Sequence, residues 1–215
     1  MRPRLVNLAT ARGWASGGAW SHKAIGALLG DASLTVKRST DAPHFMYTAA
    51  GRDGEILPDQ AAPSETCAMA ARDFLDAIAG QHGPPYLYYT APVAEHAGLL
   101  ERAPGWAELA TLTGEAADEL PMACRPWMQW WAGSGGATTQ AHYDVADNLF
   151  VQLHGHKEFW LYPPGAACGL HLFPDAHPRA RKSQVALERR NSNPTLSLSL
   201  SRMWHSRAPT FHGLR

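Results

Sequence analysis

His142-Tyr143-Asp144 is a polar triplet set in sequence that otherwise reads as β-structure. Two runs follow it, Asn148 to Leu153 and Lys157 to Tyr162, which read as strands joined by a turn around Gly155. Pro163-Pro164 stops the second run, because proline has no backbone N–H to give to a ladder. On an extended strand, residues two apart project to one face, so His142 and Asp144 offer an imidazole nitrogen and a carboxylate oxygen to the same point. A metal ion gripped by such a pair and by one distant histidine keeps three adjacent positions open, the arrangement of non-haem iron(II) sites. A 2-oxo acid fits two of those positions and dioxygen the third. Taken alone the triplet is a weak signal, since most isolated ones are a surface histidine beside an aspartate.

The neighbours raise its weight. Thr139 precedes His142 by three residues, Asn148 follows it by six and Lys157 by fifteen. Lys157 opens a run, Phe159-Trp160-Leu161-Tyr162, that is otherwise apolar after Glu158. The bland account is an edge lysine whose stem lies along the sheet while its ammonium reaches water. The alternative is a cation held inside the fold, with the Thr139 hydroxyl beside it, to neutralise the far carboxylate of a bound dicarboxylic acid.

Gly136-Ala-Thr-Thr-Gln-Ala-His-Tyr-Asp144, then Asn148-Leu-Phe-Val-Gln-Leu-His-Gly-His-Lys157 and Leu161-Tyr-Pro-Pro164, resemble the JmjC/cupin-like oxygenases, and within them the factor-inhibiting-HIF-like branch. The detailed match spans about thirty residues, with weaker similarity through Trp131, Tyr86 and the Trp14 to Tyr47 stretch. The resemblance implies a mainly β chain with N-terminal helices, built on a double-stranded β-helix (jelly-roll or cupin), with iron(II) and 2-oxoglutarate as cofactors. It implies His142 and Asp144 as metal ligands and catalytic residues. It assigns Thr139 and Lys157 to the distal carboxylate of 2-oxoglutarate, Asn148 to the neighbourhood of the cosubstrate, and Tyr86 to a cosubstrate contact. The family's third ligand follows a Gly-Asp turn and an apolar-Pro-x-x-aromatic-x-His sequence, which this chain lacks. Met203-Trp204-His205 is the nearest substitute, so His205 is the candidate third ligand.

Elsewhere, Ser21 to Leu29 reads as a helix with Ser21 as N-cap and Gly30 as its stop. Leu34 to Val36 reads as a strand. Ser64 is expected to open a longer helix with Cys67, Ala71, Phe74, Leu75 and Ile78 on its apolar face, ending at Gly80. Tyr86 to Tyr89 and Trp127 to Trp131 are strand candidates. The expected division is an N-terminal α/β part over 1–83, a partial JmjC/cupin-like core over 84–187 and an atypical tail over 188–215. Thr195 to Ser201 alternates strictly, so the tail reads either as a two-faced strand or as sequence from a shifted frame or alternative exon; on the second reading the β-helix is incomplete at its C-terminus.

Composition excludes little but helps with partners. Lys plus Arg and Asp plus Glu are both 19, so charge gives no support for gripping a nucleic-acid backbone or an anionic membrane. No apolar run is long enough to span a bilayer. Three cysteines form no CxxC pair and no disulfide framework; they read as small buried residues in a reducing compartment, cytoplasm or nucleus. Arg2, Arg4 and Arg12 precede the first acidic residue, Asp31, which faintly resembles a transit peptide, although Trp14 and Trp20 look like core residues. The expected function is dioxygenase activity, with a protein or peptide side chain as the hydroxylated substrate and demethylation or RNA modification as variants. The rival, from another class, is a non-catalytic cupin-like binding module that has lost the third ligand. A cupin of other metal chemistry would have little use for Lys157. Oligomeric state is not written in the sequence.

Overall fold

The structure is a computed structural model that describes residues 4–6, 20–40, 45, 55, 57, 59–103, 128–145, 148–185, 197–199 and 203–206. Its strands are β1 (Arg4–Val6), β2 (Ser33–Ser39), β3 (Ser64–Ala70), β4 (Tyr86–Pro92), β5 (Gln129–Gly133), β6 (Asn148–Phe150), β7 (Glu158–Trp160), β8 (Ser197–Ser199) and β9 (Met203–Ser206). Its α-helices are α1 (His22–Leu29), α2 (Ala71–Ala79) and α3 (Ala97–Arg102). Every strand pair within its sheets is antiparallel. The chain divides into two compact units, one of residues 14–139 and one of residues 1–13 with 140–215.

In the 14–139 unit, four strands lie in the order β3-β2-β4-β5. Alternation along β2 buries Leu34 and Val36, and along β4 it buries Leu87, Tyr89 and Ala91. On α2, Ala71, Phe74, Leu75 and Ile78 recur at helical spacing and are all buried. Phe74 meets Tyr89 edge to face at 6.0 Å, and Tyr89 meets Trp130 of β5 at 5.4 Å. Burying each large side chain of this set contributes about 1.5–3 kcal/mol.

The ends of α1 follow from single residues. Ser21 takes an extended conformation and its hydroxyl accepts from the Ala24 N–H at 3.2 Å. Gly30 ends the helix with φ of 55°, a left-handed backbone that a residue without Cβ adopts at no steric cost. Expectation and structure part company at Ser64. Residues Ser64–Ala70 pair along their whole length with Ser33–Ser39, and the helix begins only at Ala71. Cys67 therefore belongs to a strand, not to the helical stripe; a complete antiparallel ladder outweighs the local helical preference of the segment. Strand pairing also places Tyr86 to Tyr88 opposite Ser39 to Lys37, so the aromatic segment after Pro84 shares a sheet with β2.

The other unit has a three-stranded sheet in the order β1-β9-β6 and a two-stranded antiparallel pair, β7 with β8. The alternating tail segment is thus partly extended, with Glu158 opposite Ser199 and Trp160 opposite Ser197. A smaller ladder braces the HxD triplet. His142 bridges Lys182, and Leu172 bridges Ser183, so the 182–183 segment lies between two others. Ser183 anchors the arrangement: it is buried, its N–H donates to the Ala141 carbonyl at 2.8 Å and its hydroxyl donates to the Leu170 carbonyl at 2.7 Å. Trp14, Trp127 and Cys124 lie outside the described residues, and Cys168 is exposed where a buried thiol was expected. Among the described residues no helix is long and apolar enough to cross a membrane.

Candidate metal site

His142 and Asp144 face each other across the tyrosine between them, with Nε2 3.8 Å from Oδ1. The ring's other nitrogen, Nδ1, is 2.8 Å from the Gln140 carbonyl. A carbonyl oxygen only accepts, so Nδ1 carries the hydrogen and the lone pair is left on Nε2, the atom turned to the carboxylate. This is the tautomer a metal-binding imidazole needs, fixed by a backbone partner. Two donors at about 2.1 Å from one ion and at right angles stand about 3.0 Å apart, so the pair would close by less than 1 Å around a metal. Nitrogen and oxygen donors together suit iron(II), and the residues present fit a divalent ion as a two-point grip. Both side chains are partly open to solvent, as an exchangeable site requires.

The carboxylate has two further neighbours. Asn148, the first residue of β6, donates from Nδ2 to Oδ2 of Asp144 at 2.9 Å. Asn148, expected near the cosubstrate, thus stands beside a candidate metal ligand. Arg181 stands with Nη1 3.9 Å from Oδ1, on the oxygen that also faces His142. Its backbone is left-handed, with φ of 67°, a conformation that costs a residue with Cβ about 1–2 kcal/mol. The tight turn before Lys182 thus brings a guanidinium to the carboxylate. At this exposure and distance the ion pair contributes under about 1 kcal/mol of its own. Sequence reasoning passed over Gln140 and Arg181. The signal available was the Lys182 to Val185 segment, whose Lys182 bridges His142.

Lys157 lies in the same unit, just before β7. Its ammonium sits 4.9 Å from the Phe150 ring centroid and 5.1 Å from that of Phe159. The two rings meet at 4.9 Å and 70°. Lys157 and Phe159 are two apart on extended chain and share a face, while the alternate pair, Glu158 and Trp160, bond to each other at 2.8 Å. Burial lowers the Lys157 pKa, because taking an ammonium from water penalises its charged form. The Lys157 side chain is partly buried, with its ammonium close to both aromatic rings.

Thr139 is exposed at the last position of the 14–139 unit. Tyr86 opens β4 in that unit, and its ring packs against Gly136, where a Cβ would stand 3.2 Å from Cε1. Gly136 has φ of 86°, so both its backbone and its neighbour suit glycine. His205 is in β9, opposite Leu149 and next to the strand that begins at Asn148. Among the described residues no three His, Cys, Asp or Glu side chains converge as a metal cluster. His154 and His156 are exposed beside Gly155, as expected for a turn.

A second titratable cluster had no sequence signal. The β2–β4 ladder ends at Lys37 opposite Tyr88. A cavity of about 340 Å³ is lined there by Ser33, Thr35, Tyr89, Thr90, Glu95 and His96. The Tyr89 hydroxyl is 2.8 Å from His96 Nε2. Burial raises Tyr89 and lowers His96, with Glu95 adding to the first shift and opposing the second.

The profile of the Cupin-like domain family matches residues 4–211 of the 215, spanning both compact units and strands β1 to β9. With its antiparallel strands, few helices and braced HxD pair, the chain belongs to the Cupin-like domain family of the cupin/JmjC superfamily and has its jelly-roll type of fold.

Proposed function

We propose that this chain is an iron(II)- and 2-oxoglutarate-dependent dioxygenase that hydroxylates a protein side chain, nearest in its motifs to the factor-inhibiting-HIF-like branch. The observation that carries the reading is the His142–Asp144 pair, with Nε2 and Oδ1 3.8 Å apart and Nδ1 committed to the Gln140 carbonyl. Bound iron(II) would supply the redox chemistry that couples dioxygen and the oxidative loss of carbon dioxide from 2-oxoglutarate to oxidation of a C–H bond. His142 and Asp144 hold the ion, and His205 on β9 is the third ligand in this reading. Lys157, with Thr139, takes the distal carboxylate of the cosubstrate, and Tyr86 borders it.

The environment of Lys157 supports that role. Phe150 and Phe159 stand beside the ammonium of this partly buried lysine, so an arriving carboxylate meets a cation less screened than one in open water. Burial alone lowers the lysine pKa, and a bound carboxylate raises it again. Protonation at Nζ and cosubstrate binding therefore reinforce each other. Balanced charge gives nucleic acid no electrostatic advantage, which favours a protein or peptide as substrate over RNA. Cytoplasm or nucleus is the proposed location.

One observation favours a second reading, a non-catalytic cupin-like binding module: the described residues supply two converging ligands and not three. Succinate release separates the two. With iron(II), 2-oxoglutarate and air, the dioxygenase is expected to form succinate in an iron-dependent way that H142A abolishes. No succinate above the H142A background, with or without a library of asparagine-, aspartate-, histidine- and lysine-bearing peptides, would favour the module.

A further inference from the structure

We infer that the opening between β2 and β4 is a binding site for an organic primary ammonium, carried by a small free amine or by the lysine side chain of a polypeptide. The two inner strands of the four-stranded sheet pair only through Lys37 to Ser39 and Tyr88 to Tyr86. Beyond Lys37 and Tyr88 each strand keeps its outer neighbour: Ser33 to Val36 stay on β3, and Tyr89 to Pro92 stay on β5. The sheet is therefore open along its middle, where continuing the register would have set Thr35 opposite Thr90. A cavity of about 340 Å³ lies at this opening, at the low end of the roughly 300–1,000 Å³ of small-molecule pockets.

The lining selects the chemistry of the ligand. Ser33, Thr35 and Thr90 bring hydroxyls, Tyr89 a phenol, His96 an imidazole and Glu95 a carboxylate, and no lysine or arginine lines the cavity. Glu95 is exposed, and among the described residues no hydrogen bond or ion pair holds its carboxylate. The Tyr89 hydroxyl is 2.8 Å from His96 Nε2, and whichever of the two donates, the phenol oxygen retains a lone pair. Burial lowers the His96 pKa, so at neutral pH the imidazole does not cancel the charge of the carboxylate. A wall rich in acceptors and carrying one negative charge suits a ligand that is both a cation and a donor. Among the described residues no three His, Cys, Asp or Glu converge, so the wall does not offer a metal ion a ligand cluster. An ammonium on an alkyl stem is a compact charge with three N–H donors, and the carboxylate, the phenol oxygen and the hydroxyls are its matching acceptors.

The test is an NMR titration of the full chain at neutral pH and constant ionic strength, read on the His96 imidazole resonances, which H96Q identifies. The probes are n-butylammonium, butyrate as an anion of similar size, and a blocked glycine-lysine-glycine peptide. Wild type is expected to show a saturable shift with n-butylammonium and none with butyrate. E95Q is expected to bind about fivefold more weakly, the upper range for a partly exposed ion pair, and E95K, which brings an ammonium of its own to the opening, is expected to lose the shift. Because Glu95 is exposed, both variants are expected to keep the wild-type melting temperature, which separates loss of the site from loss of folding. Saturation by the peptide as well would assign the site to lysine side chains, and its exclusion would assign the site to free amines. No saturable shift in wild type, equal shifts with butyrate, or n-butylammonium affinity unchanged in both Glu95 variants would overturn the inference.

Discussion

Replacing Lys157 with methionine removes one charge from between two aromatic rings while keeping a flexible side chain of similar length. Three effects decide the outcome. Loss of the cation–π contacts at 4.9 and 5.1 Å costs about 0.5–1 kcal/mol each. Against that, the native state no longer holds a partly desolvated ammonium, and the thioether makes contacts with the same rings that contribute about 0.3–1.5 kcal/mol. The sum lies near zero, so the melting temperature of metal-free K157M is expected within about 3 °C of wild type, at roughly 2–4 °C per kcal/mol for a chain of this size. Cosubstrate binding should respond very differently. Removing one partner of a desolvated charge pair costs about 2–5 kcal/mol, and because Lys157 is half-buried the lower end applies, which is roughly a 30-fold rise in Kd. A pH dependence accompanies this. The native Lys157 pKa lies below 10.5, so in the window beneath that value the unfolded chain holds more protons than the folded one. Stability of wild type therefore rises relative to K157M as pH climbs through that window, and the difference is lost below the native pKa, where both states are protonated. Calorimetric titration of 2-oxoglutarate into metal-loaded wild type and K157M reads the main effect. Equal affinity in the two proteins would refute the argument that this ammonium anchors the dicarboxylic acid.

Two further outcomes test the 14–139 unit. G98A is expected to destabilise by about 1–3 kcal/mol, because a Cβ on Gly98 would stand 2.6 Å from the Leu28 carbonyl oxygen and the two helices would have to part; urea midpoints unchanged in G98A would contradict that close approach. His96 has a native pKa lowered by burial from 6.5, with Glu95 opposing, so the unfolded chain takes up its proton first as the solution is acidified. Wild type should lose stability from about pH 6.5 downward until the native pKa is passed, and H96Q should show a shallower slope over that interval; parallel urea midpoints for the two proteins would show that the imidazole is not desolvated.

The parts of this account that were legible in the sequence share a physical trait: they are local. Ser21 and Gly30 bracket α1 because capping and left-handed backbone are properties of single residues. Tyr86 to Tyr89 and Gln129 to Trp131 are strands because aromatic residues favour a pleated, half-buried surface. His142 and Asp144 come together because two-residue spacing on extended chain brings them to one side. Non-local partners were not legible. Nothing within Ser64–Ala70 announces that seven residues of β2 wait to pair with it, so helical spacing counted from Cys67 pointed the wrong way. The role of Arg181 depends on a turn about forty residues from the triplet, and the Tyr89–His96 pair depends on the fold of the sheet. Asn148 was found by its spacing from His142, but which atom its amide would meet is a matter of side-chain direction that spacing does not carry.

Anaerobic addition of 2-oxoglutarate to the iron(II)-loaded chain, followed by visible absorption, addresses the central claim most directly. A cosubstrate chelated at the His142–Asp144 pair gives a metal-to-ligand charge-transfer band, which is expected in wild type, absent in D144A, and shifted to much higher 2-oxoglutarate concentration in K157M. A wild-type spectrum that stays featureless at saturating iron and 2-oxoglutarate would contradict the account, and so would a band that D144A retains.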